Sequence, residues 1–125
     1  MYRNAKLVLP LIALATLTAC GSKQPAVSYK SQVQPILEKN CVACHTAEGA
    51  GTLASGLQMT SYETLMKGTK FGPVIVAGNA ESSTFYRLIA GKVDPSIRMP
   101  HGKEKISEAN IKLIETWIQQ GAKNN

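Results

Sequence analysis

The most informative segment of this sequence is Cys41-Val42-Ala43-Cys44-His45. Its pattern, C-x-x-C-H, is the one at which a c-type haem is attached to a protein. Cys41 and Cys44 can each form a thioether with one vinyl group of the same porphyrin, and His45 can then bind the iron as its proximal axial ligand. The pentapeptide therefore predicts one covalently bound haem c, around which the rest of the chain has to fold.

The same cysteine pair has two other uses that the residues alone leave open. Cys41 and Cys44 could form the redox disulfide of a thiol-disulfide oxidoreductase, although no βαβ pattern surrounds them. They could also supply half of a zinc site. That site would need another ligand pair, and His101 is the only histidine besides the one in the motif.

The first 19 residues have the pattern of a bacterial lipoprotein signal peptide. Arg3 and Lys6 precede an apolar run over residues 7–17, which at about eleven residues is shorter than the roughly twenty that span a bilayer. The segment ends in L-T-A-C at Cys20, which resembles a lipobox, where the chain is cut before the cysteine and the cysteine is acylated. The alternative is an ordinary signal peptide that leaves Cys20 as a free thiol.

Lipidation at Cys20 would account for the third cysteine of the chain, because haem takes the other two. Residues 20–28 are then the lipidated cysteine and a linker, and residues 29–125 are one domain that faces the periplasm from a membrane. Gly21 and Ser22 follow the cysteine where an aspartate would favour retention at the inner membrane, so the outer membrane is favoured.

The charge of the exported chain is mildly basic. Without Arg3 and Lys6, 12 basic side chains stand against 8 acidic ones, a net charge of +4. The lysines are scattered and aromatic residues make up 6% of the chain, so we do not expect nucleic-acid binding. A mildly positive surface could steer an acidic protein partner. No nucleophile with an adjacent base is evident, and we therefore expect neither an enzyme nor a small-molecule substrate.

Apolar residues at helical spacing predict an all-α domain of short helices packed around the haem. Residues 47–56 are predicted to form a glycine-rich loop, and residues 71–78 an extended segment against one haem face. Four helices are predicted: one that begins with a capping box of Ser31 and Gln34 and ends at Cys41; one from a capping box of Thr60 and Glu63 to Gly68; one from Asn79 or Ser82 to Gly91; and one from Ser107 to Gly121.

The sixth iron ligand decides what such a haem does. Met99 lies in a proline-containing loop before the last helix, where Pro100 biases it toward an extended backbone. We expect Met99 to be the second axial ligand, with His101 as the alternative, whereas Met59 and Met66 are expected to fill the core. Methionine with histidine raises the reduction potential relative to two histidines.

The chain resembles monohaem cytochromes c, and among them the planctomycete-type cytochrome c domain group. The resemblance covers residues 29–122. The matching stretches are Gln34-Pro35-Ile36-Leu37, the haem motif, Gly56-Leu57 with Tyr62 and Leu65, Val76-Ala77-Gly78-Asn79, Met99-Pro100, and Trp117-Ile118-Gln119-Gln120-Gly121-Ala122.

The resemblance implies covalent haem at Cys41 and Cys44, axial ligands His45 and Met99, and electron transfer between redox partner proteins. With the lipobox, it predicts a membrane-anchored c-type cytochrome in the periplasm. A haem domain that binds or senses small ligands, and a haem subunit of a larger oxidoreductase, are the alternatives. Arg98 could pair with a haem propionate.

Overall fold

The structure, a computed structural model, describes residues 24–125. The predicted signal peptide and the predicted lipidation site Cys20 lie outside the described residues. Residues 24–125 contain five α-helices and no strand; a single isolated bridge joins Thr69 and Gly72. The prediction of an all-α domain is confirmed. The helices are α1 (Gln34–Asn40), α2 (Ala50–Ser55), α3 (Tyr62–Lys67), α4 (Thr84–Ala90) and α5 (Glu108–Gln119); a π-helical turn (Tyr29–Val33) precedes α1 and a 3₁₀ turn (Pro95–Ile97) follows α4.

The first helix begins earlier than the sequence predicts. The backbone N–H of Ser31 donates to the hydroxyl of Ser28 at 3.3 Å, so Ser28 is the N-cap of the π-helical turn that continues into α1. The capping box predicted for Ser31 and Gln34 is therefore wrong. Pro35 lies in the first turn of α1, directly after the π-helical turn.

The last helix forms as predicted. The hydroxyl of Ser107 accepts a hydrogen bond from the backbone N–H of Asn110 at 3.3 Å and caps α5. One face of α5 is buried and packs on the first helical segment and on α4. The buried side chains of α5 are Ile111, Ile114, Trp117 and Ile118.

Three aromatic side chains, Tyr29, Tyr62 and Trp117, meet where the first helical segment, α3 and α5 converge. The ring centroid of Tyr29 lies 5.2 Å from that of Tyr62 and 5.5 Å from that of Trp117. We call these three residues the aromatic cluster. The Tyr62 hydroxyl donates to the carbonyl of Ala122 at 2.8 Å, and Trp117 Nε1 donates to the carbonyl of Lys123 at 2.9 Å. The polar atoms of Tyr62 and Trp117 are thus paired at the edge of the cluster.

The residues just before the first helical turn are attached to the end of the chain. The side chain of Gln120 accepts from the backbone N–H of Val27 at 2.8 Å and donates to the carbonyl of Pro25 at 3.0 Å. The side-chain oxygen of Asn125 accepts from the N–H of Tyr29 at 2.9 Å. Residues 25–28, which fall within the predicted linker, are therefore held against the domain.

Residues 50–55 form α2, so the prediction of a structureless loop over 47–56 is wrong in that part. The first N–H groups of α2, those of Gly51 and Thr52, donate to the carbonyl of Cys44 at 2.8 and 3.3 Å. Six residues are too few for a helix that is stable by itself. Bonds to the haem motif, which periodicity cannot reveal, therefore hold α2 in place.

The N-terminus of α3 uses a different capping box from the predicted one. Ser61 is the N-cap, its hydroxyl accepts from the N–H of Thr64 at 3.2 Å, and the Thr64 hydroxyl accepts from the N–H of Ser61 at 3.1 Å. The pair predicted for this role, Thr60 and Glu63, lies one residue earlier. Gly68 ends α3, as predicted.

The segment over residues 71–78, predicted to be extended, contains turns and a bend and no strand. It is attached to the start of α4. The N-cap is Ser83, one residue after the later of the two predicted starts. Its buried hydroxyl donates to the carbonyl of Asn79 at 2.8 Å and accepts from the N–H of Val76 at 2.9 Å. The carbonyl of Val74 accepts from the N–H of Phe85 at 3.0 Å, which brings Val74 to the inner side of α4.

Within residues 24–125, no helix is both long enough and apolar enough to cross a membrane.

Candidate functional site

A cavity of about 430 Å³ lies between the C-x-x-C-H segment, α2, α4 and the loop before α5. This volume is within the roughly 300–1,000 Å³ of small-molecule and cofactor sites. Cys41, Cys44, His45 and Met99, all of the predicted site residues that the structure describes, line this cavity. The remaining walls are mostly apolar, and Val74, Phe85, Leu88, Ile89 and Ile106 contribute to them.

The imidazole of His45 is buried and held by one hydrogen bond. Its Nδ1 lies 2.8 Å from the carbonyl oxygen of Leu57. A carbonyl can only accept, so Nδ1 carries the proton and the neutral ring keeps its lone pair on Nε2. This is the arrangement that a histidine needs in order to bind iron through Nε2, with the carbonyl fixing the tautomer and the ring orientation.

Two glycines let the chain fold closely around this imidazole. A Cβ on Gly51 would lie 2.7 Å from Cε1 and 2.8 Å from Nε2 of His45, and a Cβ on Gly49 would lie 2.3 Å from the carbonyl oxygen of Cys44. No side chain can be accommodated at these distances without movement of the backbone or the ring. Glycine at position 51 therefore leaves the Nε2 side of the ring clear.

The backbone of the haem motif is fixed at its end as well. The carbonyl of His45 accepts from the N–H of Met59 at 2.9 Å. Met59 is buried, as expected of a core residue, and its side chain also lines the cavity, whereas Met66 packs against the core away from it.

Cys41 is partly buried, Cys44 is exposed, and neither is in a disulfide. Burial raises the pKa of the Cys41 thiol to about 11, and the positive charge of Lys103 only partly offsets this effect. The reactive thiol of a dithiol oxidoreductase instead has a lowered pKa, because the thiolate is the nucleophile. The environment of Cys41 therefore does not favour the thiol-disulfide alternative.

Nor do residues 24–125 bring together three or more histidine, cysteine, aspartate or glutamate side chains that could hold a metal ion. In this part of the chain, the cysteine pair lacks the second ligand pair that a zinc site would need.

Met99 and His101, the two candidates for the sixth ligand, both line the cavity. The N–H of Met99 donates to the carbonyl of Leu88 in α4 at 3.2 Å, and its side chain is partly buried against the core. His101 is exposed. A thioether held among core side chains is better placed to face an iron than an imidazole in solvent, so burial favours Met99.

Arg98 places an unpaired donor next to the cavity wall. Its Nη2 donates to the carbonyl of Lys103 at 2.9 Å, and its Nη1 is buried without a partner in the part of the chain that the structure describes. Both Met99 and Lys103 line the cavity. A buried guanidinium nitrogen without an acceptor costs free energy, and a carboxylate is the group that would satisfy it best.

The residues present fit haem c. They comprise two thiols at the spacing of the attachment motif, an imidazole with its lone pair on Nε2, a thioether on a different chain segment and an unpaired donor suited to a carboxylate. Sequence reasoning missed the supporting residues of α2, Gly51 and Thr52, and the carbonyl of Leu57. The only signal for them was the density of small residues after the motif.

Comparison with known families gives one match. The model of the family described as planctomycete cytochrome C matches residues 41–113, more than half of the chain. No curated protein and no solved structure gave a significant match. The matched residues run from the first cysteine of the haem motif into α5 and include every residue assigned above to the wall of the cavity. The chain therefore belongs to the planctomycete cytochrome c family, an all-α cytochrome family that binds haem c.

Proposed function

We propose that this protein is a membrane-anchored c-type cytochrome with one covalent haem, and that it carries single electrons between redox partner proteins in the periplasm. The family supports a haem-based electron carrier in general, and such a domain fits a non-catalytic role. The observation that carries the proposal further is the shared cavity wall of Cys41, Cys44, His45 and Met99.

Each residue has a separate task in this proposal. The sulfurs of Cys41 and Cys44 hold the haem through thioethers, and His45 binds the iron through Nε2 because its Nδ1–H is bonded to Leu57. Met99 supplies a thioether from the loop after α4. The haem, when bound, supplies an iron that gains or loses one electron.

Two protein ligands to the iron are what separates a carrier from a ligand-binding domain. The side chain of Met99 is packed against the core and its backbone is bonded to α4, so the loop holds the thioether in the cavity wall. A site closed on both sides by protein ligands leaves no position for a gas or other small ligand. This arrangement supports electron transfer over sensing.

The cavity meets the protein surface at its exposed lining residues, which include Cys44, Ala54, His101 and Lys103. We infer that a redox partner binds over this mouth, since electrons would have the shortest path there. The lysine adds positive charge at the mouth, which favours an acidic partner surface.

The anchor would hold the domain close to its membrane. Because the backbone from Pro25 onward is bonded to the C-terminal segment, only about five residues separate Cys20 from the domain. Fully extended, five residues reach at most about 18 Å. A lipid on Cys20 would thus confine the search for partners to a layer next to the bilayer.

Substitution of Met99 by alanine tests the electron-carrier proposal. We expect Met99→Ala to keep the covalent haem, to lose the far-red methionine-to-iron band of the oxidised protein, to bind CO rapidly when reduced and to have a lower reduction potential. The matched control is Met66→Ala, which removes a partly buried methionine that does not line the cavity and should leave the spectrum unchanged.

Two results would redirect the proposal. If Met99→Ala has the spectrum of the unsubstituted protein, the sixth ligand is another residue. A changed spectrum in His101→Ala would then identify His101 as that ligand. If the unsubstituted reduced protein already binds CO rapidly, the domain is a ligand-binding one.

Substitution of Cys20 by serine tests the anchor separately. We expect Cys20→Ser to release the protein from membranes with a normal haem content, because Cys20 lies outside the C-x-x-C-H motif. Persistent membrane association of this variant would contradict the lipoprotein assignment.

A further inference from the structure

The carbonyl oxygen of Leu57 accepts two hydrogen bonds, and only one of them is explained by haem binding. Nδ1–H of His45 donates at 2.8 Å, and the hydroxyl of Thr52 donates to the same oxygen at 2.7 Å. Thr52 belongs to α2, the helix that sequence analysis did not predict. Its hydroxyl does not touch the imidazole but shares the acceptor that orients it.

The backbone N–H of Leu57 is also hydrogen-bonded to a side chain of α2. Its N–H donates to the hydroxyl of Ser55 at 3.1 Å, and that hydroxyl donates to the carbonyl of Gly51 at 2.7 Å. Two side chains of α2, Thr52 and Ser55, therefore bind the same stretch of backbone. Together with the bond from Met59 N–H to the His45 carbonyl at 2.9 Å, they close a small ring of hydrogen bonds around the histidine.

Because of these contacts, the position of the Leu57 carbonyl and its strength as a hydrogen-bond acceptor depend on different residues. If the Thr52 hydroxyl were removed, Ser55 and the bond of Met59 would still hold the Leu57 carbonyl near His45. What would change is the acceptor strength of that carbonyl. Two donors to one oxygen draw on the same electron density, so the bond from Nδ1–H is weaker with Thr52 than without it.

The strength of the bond at Nδ1 sets how electron-rich the imidazole is at Nε2, because an outer partner of a metal-bound histidine raises its basicity. A more electron-rich imidazole stabilises ferric iron relative to ferrous iron and lowers the reduction potential. A donor that competes for the Leu57 carbonyl therefore acts in the opposite direction.

We propose that Thr52 acts through His45 and raises the reduction potential of the haem, because the Thr52 hydroxyl shares the carbonyl of Leu57 with the axial histidine. This inference rests on the proposed ligation of iron by His45 and names a regulator of that site. It also gives α2 a function, because the two hydroxyls that bind the backbone of Leu57, those of Thr52 and Ser55, both belong to this helix.

The test is the reduction potential of haem-loaded Thr52→Val, measured by redox titration of the visible spectrum. Valine keeps the shape of threonine and removes the donor. We expect normal haem content and a reduction potential below that of the unsubstituted protein. Thr52→Ser, which keeps the hydroxyl, should restore the unsubstituted value. Thr116→Val is the matched control, because the Thr116 hydroxyl donates to the carbonyl of Lys112 in α5, outside the cavity wall.

A potential of Thr52→Val that equals those of Thr52→Ser and Thr116→Val, or lies above them, overturns the inference while leaving the electron-carrier proposal intact. Should Thr52→Val fail to fold, proton NMR of the unsubstituted reduced protein decides. A slowly exchanging Thr52 hydroxyl proton close to the Nδ1 proton of His45 supports the inference, and its absence overturns it. If the unsubstituted protein has no haem, both proposals fail together.

Discussion

The aromatic cluster and the haem cavity are two regions of one small domain that satisfy their polar atoms differently. In the aromatic cluster, the Tyr62 hydroxyl and Trp117 Nε1 each donate to a carbonyl of the C-terminal segment. Beside the cavity, Arg98 Nη1 is buried without a partner among the described residues, and His45 uses only Nδ1 in its bond to the protein. In the first region, Tyr62 and Trp117 find their partners in the polypeptide, whereas in the second the lone pair of His45 Nε2 and the N–H groups of Arg98 Nη1 have no partner among the described residues.

This difference between the two regions indicates where the stability of the domain comes from. A chain of about 100 residues buries a smaller fraction of its surface than a larger one and is correspondingly marginal. The aromatic cluster can form from protein alone, but the walls of the cavity face one another across a space that we propose is filled by haem. We therefore expect substitutions in the two regions to affect stability and redox properties separately.

The largest effect should come from removing both attachment sites. In Cys41→Ser/Cys44→Ser, we expect loss of covalent haem and of most of the helical signal in circular dichroism at 25 °C, because a bound group stabilises the folded state that binds it. Cys20→Ser, which removes the cysteine outside the haem motif, is the control. A doubly substituted protein that still unfolds cooperatively would show that the polypeptide is sufficient for the fold.

The next largest effect should be in the aromatic cluster. Trp117 is 1% exposed, and Trp117→Ala should lower the free energy of unfolding by about 3–5 kcal/mol while the haem spectrum stays unchanged. Phe71→Ala is the matched control, because Phe71 is 87% exposed and its loss should change stability by less than about 0.5 kcal/mol. Urea unfolding followed by circular dichroism and by the haem band measures both. A change of axial ligation in Trp117→Ala would mean that the two regions are coupled.

A smaller effect, confined to the cavity, is expected for Gly51→Ala. Alanine in place of glycine normally favours a helix by about 1 kcal/mol. Here the added Cβ would overlap the ring of His45, so we expect instead a loss of about 1–3 kcal/mol and an altered haem spectrum. The comparison variant Ala109→Gly, at an exposed position of α5, measures helix propensity alone. A Gly51→Ala protein more stable than the unsubstituted one would rule out the close approach.

The smallest effect should be electrostatic. Arg98→Gln removes a positive charge next to the cavity, and a nearby positive charge disfavours the ferric state. We expect the reduction potential to fall by an amount on the order of tens of millivolts. Arg87→Gln, at an exposed position of α4, should cause a smaller change. Equal shifts in the two variants would mean that Arg98 acts only as one of many surface charges.

Much of the fold could be predicted because it depends on local sequence. Ser107 is a typical N-cap residue, and the isoleucines of α5 repeat at helical spacing. The haem motif is contiguous in sequence. The chain from Met99 to Pro100 was recognisable as a loop by its proline. These features need no knowledge of distant residues.

The features that sequence missed depend on particular hydrogen bonds. α2 exists because the carbonyl of Cys44 accepts the first N–H groups of that helix. The role of Thr52 depends on a carbonyl five residues away that also faces His45. The start of α3 was predicted one residue too early, because the capping box forms between Ser61 and Thr64 and not between Thr60 and Glu63. In each case the deciding partner is invisible to periodicity.

Mass spectrometry of the natively exported protein is the direct test of covalent haem attachment at Cys41 and Cys44. Trypsin should release residues 40–67 as one peptide, which contains both cysteines of the motif and no internal lysine or arginine. We predict that this peptide carries the mass of one haem and that neither Cys41 nor Cys44 reacts with a thiol reagent. An unmodified peptide with two free thiols would contradict covalent attachment of haem to this protein.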